Sequence, residues 1–416
     1  MVEIPKIKKI SAREILDSRG FPTVEAELVT DLGSFFASVP SGTSRGKNEA
    51  LELRDGGERY HGLGVLGAVK NINEIIGPKL EGKEVTSQKE IDDFLIGLDG
   101  TENKSNLGAN AILAVSIAIS RAGAALQAKP LWKWISEISG TKPGLPAPCI
   151  LFMEGGLHGK GSLDVQEIMV ILQADTFKDR LKISTEIYHN LGKLLEKKYG
   201  KISATVGMEG AFTPPAIDDT EEALDLITKA IKDYGYKDKT EFILDMAASF
   251  FFQEGKYFFD GNILAKDELQ DYYLKLCQKY PITGIEDPFA EEDWPAFQGI
   301  TEKIGDRVSI IGDDLLVTNM GRIKTAVEKK ACNGLILKVN QVGTVTETIE
   351  AAKYAVKNNF KVFVKHRSGE TKDDFIADLA CGLGMGYIMA GAPTRGERVA
   401  KYNRLLKIEE ELKNYA

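Results

Sequence analysis

The sequence lacks the features that would indicate a nucleic-acid-binding or membrane-spanning protein. Lys and Arg number 53 against 61 Asp and Glu, so the net charge is −8 and no basic surface for nucleic acid is expected. No run approaches the ~20 apolar residues that a membrane span requires. The nearest one, 109–128, contains Arg121 and Gln127 and predicts a buried helix.

Cysteine is also scarce, and no CxxC pair occurs. The four cysteines are far apart in the chain: Cys149, Cys277, Cys332 and Cys381. In a chain of 416 residues this pattern favours buried free thiols over a disulfide framework. The start of the chain, 1–6, has no apolar segment of the signal-peptide type. We therefore expect a cytoplasmic protein.

No GxGxxG motif follows a first strand, which weighs against a dinucleotide-binding fold.

The composition is that of a folded globular chain, with 43% hydrophobic and 27% charged residues. Strands and then helices occupy the first part, which predicts an α+β domain over 1–142. The supporting segments are strands at 23–30 and 35–39 and helices at 65–76, 88–98 and 110–127.

From 143 to 416 the pattern changes to apolar strands that end in charged residues and alternate with helices. The strands are at 241–247, 282–288, 308–315, 334–340 and 361–368. Strands this apolar are buried on both faces and pair in parallel. With roughly 270 residues available, a closed (β/α) barrel is favoured over an open sheet.

The residues that could take part in catalysis lie at the ends of these strands. Active sites of such barrels lie at the C-terminal ends of the strands, and these ends carry Asp245, Glu286, Asp313, Lys338, His366 and Arg367. Three carboxylates in one mouth would repel one another. A hard divalent cation relieves this repulsion, and oxygen ligands favour Mg²⁺ over zinc. The alternative is that each acid caps a helix or pairs with a surface lysine.

Two further roles follow from this arrangement. Nearby cations disfavour an ammonium group, so we expect the pKa of Lys338 to fall until the side chain can act as a base. Arg367 and Ser368 form a plausible phosphate-binding pair, because a guanidinium presents a planar fork of donors.

Seven short motifs occur in order along the chain, at 17–20, 22–25, 105–111, 285–289, 337–341, 366–371 and 391–393. Together they resemble the motifs of the enolase family (phosphopyruvate hydratase). The resemblance implies a capping domain followed by an eight-fold α/β barrel whose first strands deviate from simple (βα) order. It also implies Mg²⁺-dependent dehydration of 2-phosphoglycerate to phosphoenolpyruvate, a step of glycolysis and gluconeogenesis. A homo-oligomer, either a dimer or a ring of dimers, is implied as well.

The resemblance further assigns a role to individual residues of this sequence. Two Mg²⁺ ions are implied, the first on Asp245, Glu286 and Asp313 and the second, arriving with substrate, on Ser44. The implied catalytic residues are the base Lys338, the acid Glu209 with its partner Glu167, and the histidines His158 and His366. The implied substrate-binding residues are Gln166, Arg367, Ser368 and Ser41.

Some positions depart from the family pattern. Met389 stands where a lysine that meets the substrate carboxylate is expected, and Lys365 stands where a serine is expected. Further departures are at Arg45, Glu154, Met208 and Phe250. Three hypotheses follow: an enolase in which Arg45 or Lys365 supplies the missing cation, a paralogue acting on a different phosphorylated small acid, or a non-catalytic binding protein on the same scaffold.

Overall fold

An antiparallel sheet of three strands begins the chain in the computed structural model, which describes residues 5–43, 46–85, 87–159 and 161–415. In its central strand, alternate side chains are buried, including Val24, Ala26 and Leu28, which produces one core-facing side. The elements of this region are β1 (Lys9–Leu16), β2 (Pro22–Thr30), β3 (Gly33–Ser38), α1 (Leu66–Lys70), α2 (Gly77–Leu80), α3 (Gln88–Asp99), α4 (Ala109–Leu126) and α5 (Leu131–Ser139). A π-helical segment, Asn71–Ile76, joins α1 to α2.

Helix α4 packs against β2 and β3 and forms the centre of this region. Within the described part of the chain it is the one helix long and apolar enough to cross a membrane, but 83% of it is buried inside the protein. The prediction of a buried core helix is therefore confirmed.

The second region is a closed barrel of eight strands, as predicted. Its strands are β4 (Ala147–Glu154), β5 (Glu167–Leu172), β6 (Thr240–Asp245), β10 (Ile282–Glu286), β11 (Ser309–Gly312), β12 (Gly334–Leu337), β13 (Lys361–Lys365) and β14 (Tyr387–Met389). They follow one another around the ring in chain order, and β14 closes it by pairing with β4. Between β6 and β10 a small antiparallel sheet is inserted: β7 (Phe252–Gln253), β8 (Lys256–Phe259) and β9 (Asn262–Leu264).

One strand of the barrel runs against the others. β5 is antiparallel to both β4 and β6, whereas the remaining neighbours pair in parallel. A loop rather than a helix joins β4 to β5, so no crossover returns the chain to the starting edge. The first residue of β5, rather than its last, consequently lies at the mouth formed by the C-terminal ends of the other strands.

Helices cover the outside of the barrel. They are α6 (Phe177–Tyr199), α7 (Thr220–Asp233), α8 (Lys266–Lys279), α9 (Trp294–Ile304), α10 (Met320–Lys329), α11 (Val339–Val342), α12 (Val345–Lys357), α13 (Phe375–Leu383) and α14 (Gly396–Tyr415). Short 3₁₀ segments occur at Arg59–Gly62, Lys201–Ala204, Lys237–Lys239 and Ala248–Phe251. The stretch 140–146, which contains the predicted domain boundary, has neither helix nor strand.

Candidate active site

The charged strand ends converge on one mouth of the barrel. Asp245 and Glu286 are the last residues of β6 and β10, and they are partners in the strand register. Glu167, the first residue of the reversed strand β5, pairs with Asp245 from the other side. Three carboxylates therefore adjoin one another across three neighbouring strands, and their ligand oxygens lie within 4.8 Å of one another.

An ammonium group lies among these three acids. Lys365, the last residue of β13, places its Nζ 2.9 Å from Asp245 Oδ2, 2.8 Å from Glu286 Oε1 and 3.0 Å from Glu167 Oε2. Burial alone would lower the pKa of Lys365, but the negative charges of the three carboxylates outweigh it and raise that pKa well above its usual range. Lys365 is thus a buried, permanently charged cation.

Lys338 and Asp313 form a second buried ion pair beside the first. The Nζ of Lys338 contacts Asp313 Oδ2, and Gln341 Nε2 donates to the other carboxylate oxygen at 3.0 Å. Burial would raise the pKa of Asp313, yet the charge of Lys338 lowers it to about 2. Burial likewise acts to lower the pKa of Lys338, but Asp313 raises it overall. The expected fall in the Lys338 pKa concerns a neighbouring cation and stays a prediction, because the group next to Lys338 here is a carboxylate.

Two histidines and two glutamates form the opposite side of the mouth. His158 Nδ1 lies 3.2 Å from Glu167 Oε1 and 3.5 Å from Glu209 Oε1, while His366 Nε2 lies 2.9 Å from Glu209 Oε2. Burial would raise the pKa of Glu209, but the two histidines and Arg398 lower it well below its usual range. Glu209 is therefore ionised here, and the protons of this group reside on the histidines.

Arg398 fixes the orientation of His366. This fully buried arginine on α14 donates from Nη1 to His366 Nδ1 at 2.5 Å and to the Arg367 carbonyl at 2.6 Å. Since a guanidinium only donates, Nδ1 must be unprotonated, and Nε2 carries the hydrogen that faces Glu209. Burial lowers the pKa of His366, which agrees with a neutral ring. No pattern in the sequence indicated a role for Arg398, which lies about 30 residues beyond the strand that it supports.

The predicted phosphate-binding residues adjoin the N-terminal region. Arg367 donates to Glu49 at 2.9 Å and to Asn340 at 3.0 Å. Ser368 Oγ lies 2.7 Å from Thr43 Oγ1 and accepts from the Thr43 N–H at 2.8 Å. A bound phosphate would therefore compete with Glu49 for the guanidinium of Arg367.

The remaining predicted substrate and metal residues are placed as follows. Gln166 Nε2 donates to Asp245 at 3.2 Å, and its buried Oε1 has no hydrogen-bond partner in the described part of the chain. The hydroxyl of Ser41 is held away from the mouth, because it donates to Glu52 at 3.1 Å and accepts from Arg54 at 2.8 Å. Ser44 and Arg45 lie outside the described residues.

Two of the residues that differ from the family pattern are buried at or next to the mouth of the barrel. Met389 on β14 is fully buried and is the register partner of Lys365 on β13. Glu154 at the end of β4 is also fully buried and accepts hydrogen bonds from the N–H groups of Glu209 and Ala211 at 3.0–3.2 Å. Its pKa is raised to about 8, because burial and the charge of Glu209 disfavour the anion.

The donor set suits a hard divalent cation. Every candidate ligand from Glu167, Asp245, Glu286 and Asp313 is a buried carboxylate oxygen, the type of ligand that such ions prefer. Burial raises the pKa values of both Asp245 and Glu286 in spite of the nearby ammonium of Lys365. One ammonium group therefore does not neutralise both Asp245 and Glu286, whereas a divalent cation would.

A second acidic cluster was not predicted. Asp287, Asp313 and Asp314 bring their oxygens within 4.8 Å of one another, and Asp287 accepts the N–H groups of Asp313 at 3.0 Å and Asp314 at 2.7 Å. Burial raises the pKa of Asp314 to about 7 and that of Asp287 well above its usual range. These bonds hold the loop after β11, which presents Asp313 to Lys338.

A closed barrel with a reversed second strand, and with acids, lysines and histidines at one mouth, defines a class of barrel proteins suited to cation binding and proton transfer. Family models described as "Enolase, N-terminal domain" and "Enolase, C-terminal TIM barrel domain" match residues 7–135 and 142–416. The chain belongs to the enolase family.

Individual relatives agree with this assignment. The chain is 49% identical to the enolase of Methanothrix thermoacetophila over 408 residues and 48% identical to that of Methanocaldococcus jannaschii over 409 residues. It is 50% identical to the enolase of Mastigamoeba balamuthi over 421 residues. In all three cases the match covers 98% of this chain and 96% of the relative. Family membership implies a divalent metal, and the acidic clusters of the mouth are consistent with one.

Proposed function

We propose that the protein is a Mg²⁺-dependent lyase that interconverts 2-phosphoglycerate and phosphoenolpyruvate. The observation that carries this proposal is the division of one mouth into a lysine side, with Lys338 on Asp313, and a histidine side, with Glu209 between His158 and His366. An elimination of water requires one group to remove a proton and another to supply one. The two sides provide both within a single site.

Asp245, Glu286 and Asp313 would hold the first Mg²⁺ ion, and Ser44 would contribute to a second that arrives with substrate. A bound divalent ion supplies positive charge that stabilises the negative charge developing on the substrate carboxylate. The buried carboxylates that would hold it come from three consecutive barrel strands, so their spacing is set by the sheet.

Lys338 removes the proton from the carbon next to the substrate carboxylate. It must first lose its own proton, and the Asp313 contact opposes this by raising the pKa of Lys338. Recruitment of Asp313 as a metal ligand would weaken that contact. The Lys338 pKa then falls, because the carboxylate charge is shared with a cation.

The histidine side assists departure of the hydroxide. Glu209 is ionised in this arrangement, so the proton that leaves with the hydroxide comes from the group formed by Glu209, Glu167 and His158. Burial opposes the charge on His158, yet Glu209 and Glu167 raise its pKa above the usual range. The free Oε1 of Gln166 can accept a hydrogen bond from a substrate hydroxyl.

Arg367 and Ser368 bind the phosphate. Arg367 is almost fully buried and pairs with Glu49. A bound phosphate would take the place of the Glu49 carboxylate, so the guanidinium would remain paired with an anion. Release of Glu49 would couple substrate binding to movement of the segment that contains Thr43 and Glu49.

A direct assay tests the proposal. The purified protein is incubated with 2-phosphoglycerate and Mg²⁺, and phosphoenolpyruvate is followed by its ultraviolet absorbance. We expect turnover within the usual range for enzymes, ~1–10³ s⁻¹, and loss of that turnover with EDTA. No turnover at saturating Mg²⁺ would contradict the proposal.

One observation favours a second candidate, a lyase for a different phosphorylated small acid. Lys365 and Met389 are register partners on β13 and β14, and both differ from what the family resemblance predicts. A changed pair of side chains at this point would alter the part of the mouth that receives the substrate carboxylate. Turnover of another phosphorylated 2-hydroxy or 3-hydroxy acid, with none of 2-phosphoglycerate, would select this candidate.

We also propose a location and an assembly state. Four free cysteines, three of them buried, support a cytoplasmic location. A homo-oligomer, a dimer or a ring of dimers, rests on the family resemblance. Light scattering coupled to size-exclusion chromatography would distinguish these from a monomer.

A further inference from the structure

Lys365 makes an unusual set of contacts for a residue at the end of a barrel strand. Its ammonium group lies within 3.0 Å of carboxylate oxygens from three strands: Glu167, Asp245 and Glu286. The exposed fractions of these three carboxylate side chains are 1%, 3% and 0%. Water therefore contributes little to stabilising them, and Lys365 is the cation that they share.

The hydrogen-bonding capacity of Lys365 is fully used by this cluster. An ammonium group has three N–H donors and no acceptor, and here three carboxylates surround it. No donor remains for any other group while Lys365 holds this position. Its hydrogen bonds go to Asp245 and to both oxygens of Glu286, and Glu167 completes the cluster as an ion-pair partner at 3.0 Å.

The register neighbours of Lys365 on β14 and β4 carry no charge. The register partner of Lys365 on β14 is Met389, and the partner of Met389 on β4 is Cys149. Both side chains are fully buried. The geometry thus directs the ammonium across the barrel towards the acids of β5, β6 and β10.

A metal ion and this ammonium would require the same oxygens. Asp245 and Glu286 are two of the carboxylates that the proposed first Mg²⁺ would use, and both now accept hydrogen bonds from Lys365. The cavity at the mouth has a free volume of about 10 Å³, about enough for a single water molecule. It does not accommodate a hydrated divalent ion beside the ammonium.

We propose that Lys365 is a tethered cation that competes with the first divalent metal for Asp245 and Glu286, so that metal binding displaces its ammonium group. This inference rests on the metal-binding part of the proposed function but not on the identity of the substrate. In the absence of metal, Lys365 holds the acids together. When metal enters, Lys365 is released and its three donors become available inside the mouth.

Binding of Mn²⁺ without substrate tests the competition. Mn²⁺ is titrated into wild-type protein and Lys365→Met, and the free ion is measured by electron paramagnetic resonance. The apparent affinity of a site is reduced by the fraction of molecules in which it is blocked, so we expect Lys365→Met to bind at least about tenfold more tightly. Affinities that agree within about twofold would overturn the proposal.

Lys104→Met is the matched control. Lys104 is also a buried lysine, and its ammonium pairs with a single carboxylate, Glu347, at 2.9 Å. The mouth is lined by other residues. This variant also removes one positive charge and the ion pair of a buried lysine, but we expect its Mn²⁺ affinity to equal that of the wild type.

A crystal structure of the wild-type protein with Mn²⁺ tests the displacement directly and does not depend on the folding of any variant. The anomalous signal should place the ion on Asp245 and Glu286, with Lys365 Nζ farther than 3.5 Å from both. Mn²⁺ bound there with the ammonium still in place would overturn the proposal. The wild-type protein could fail to turn over 2-phosphoglycerate and still show this competition, so the two proposals fail separately.

Discussion

The two sides of the barrel mouth neutralise their acids in different ways. On the lysine side, Lys365 and Lys338 are buried ammonium groups with raised pKa values, and they contact Asp245, Glu286 and Asp313. On the histidine side, the acids Glu167 and Glu209 contact His158 and His366. Ammonium groups hold the first set, whereas imidazole groups, which titrate near neutral pH, hold the second, and Lys365 also contacts Glu167 of that second set.

This difference separates two tasks. Lys365 can leave its carboxylates only when another cation replaces it, so its part of the lysine side is suited to exchange with a metal ion, beside the proposed base Lys338. A histidine can release or accept a proton without moving, so the histidine side is suited to supplying the proton that leaves with the hydroxide. The comparison predicts that variants on the two sides will fail in distinguishable ways.

The largest expected effect is on the lysine side. Lys338→Ala removes the proposed base, so exchange of the α-proton of 2-phosphoglycerate with solvent should fall at least ~10²–10⁴-fold, the usual contribution of a general base. Exchange is measured by NMR in deuterium oxide. Mn²⁺ affinity serves as the control and should persist, because the carboxylates of Asp245 and Glu286 remain. Exchange at the wild-type rate would assign the base elsewhere.

Glu209→Gln should show the opposite pattern. It removes a carboxylate next to His158 and His366, so turnover should fall by about 10²–10³-fold while α-proton exchange continues. The comparison of exchange with turnover in the same sample provides the measurement. If Glu209→Gln and Lys338→Ala abolish exchange equally, the proposed division of the mouth does not hold.

Much of this site could be predicted from local patterns in the sequence. Asp245, Glu286 and Lys338 follow apolar strands directly, and parallel strands in a barrel bring their C-terminal ends together. The place of Glu167 depends on the reversed direction of β5, which the pattern of residues did not show. The family resemblance implied only that the first strands deviate from simple (βα) order. The position of Glu167 at the mouth is a property of the topology.

The contacts between strands were harder to predict. Lys365 could be recognised as a departure, but its three partners come from β5, β6 and β10, and no spacing in the sequence indicates that the ammonium would reach all three. The contact between Lys338 and Asp313, which raises the Lys338 pKa, could not be predicted for a related reason, since it crosses from the end of β12 to the loop after β11. Charge interactions of this kind depend on distances that only the folded chain defines.

A smaller effect is expected from Arg398→Lys, which tests whether the histidine side depends on a fixed ring orientation. Lysine keeps the charge but loses the planar fork that serves His366 Nδ1 and three backbone carbonyls. We expect kcat to fall by about 10–100-fold with little change in KM, and the acidic limb of the pH profile to move to higher pH.

Arg404→Lys, on the same helix, is the matched control for that variant. Arg404 forms a two-pronged pair with Asp378 away from the mouth, so the same substitution should lower stability and leave kcat unchanged. Equal loss of kcat in both variants would mean that Arg398 acts only through the stability of α14.

The smallest effect concerns Glu154, which packs against the histidine side. Its pKa is about 8 in the folded protein because of burial and the nearby Glu209, and an unfolded glutamate titrates near 4.3. Between these values the folded state binds more protons, so stability is lost as pH rises from about 4.5 towards 8.

Glu154→Gln removes this dependence of stability on pH. In urea unfolding, the wild type should lose ~2 kcal/mol more than the variant between pH 6 and pH 7.5. At pH 4 the two should respond to pH alike, since the carboxyl group is then largely protonated in both states. Parallel curves across the whole range would show that Glu154 is already ionised at pH 6, and the proton-exchanging character of this side would then be confined to His158 and His366.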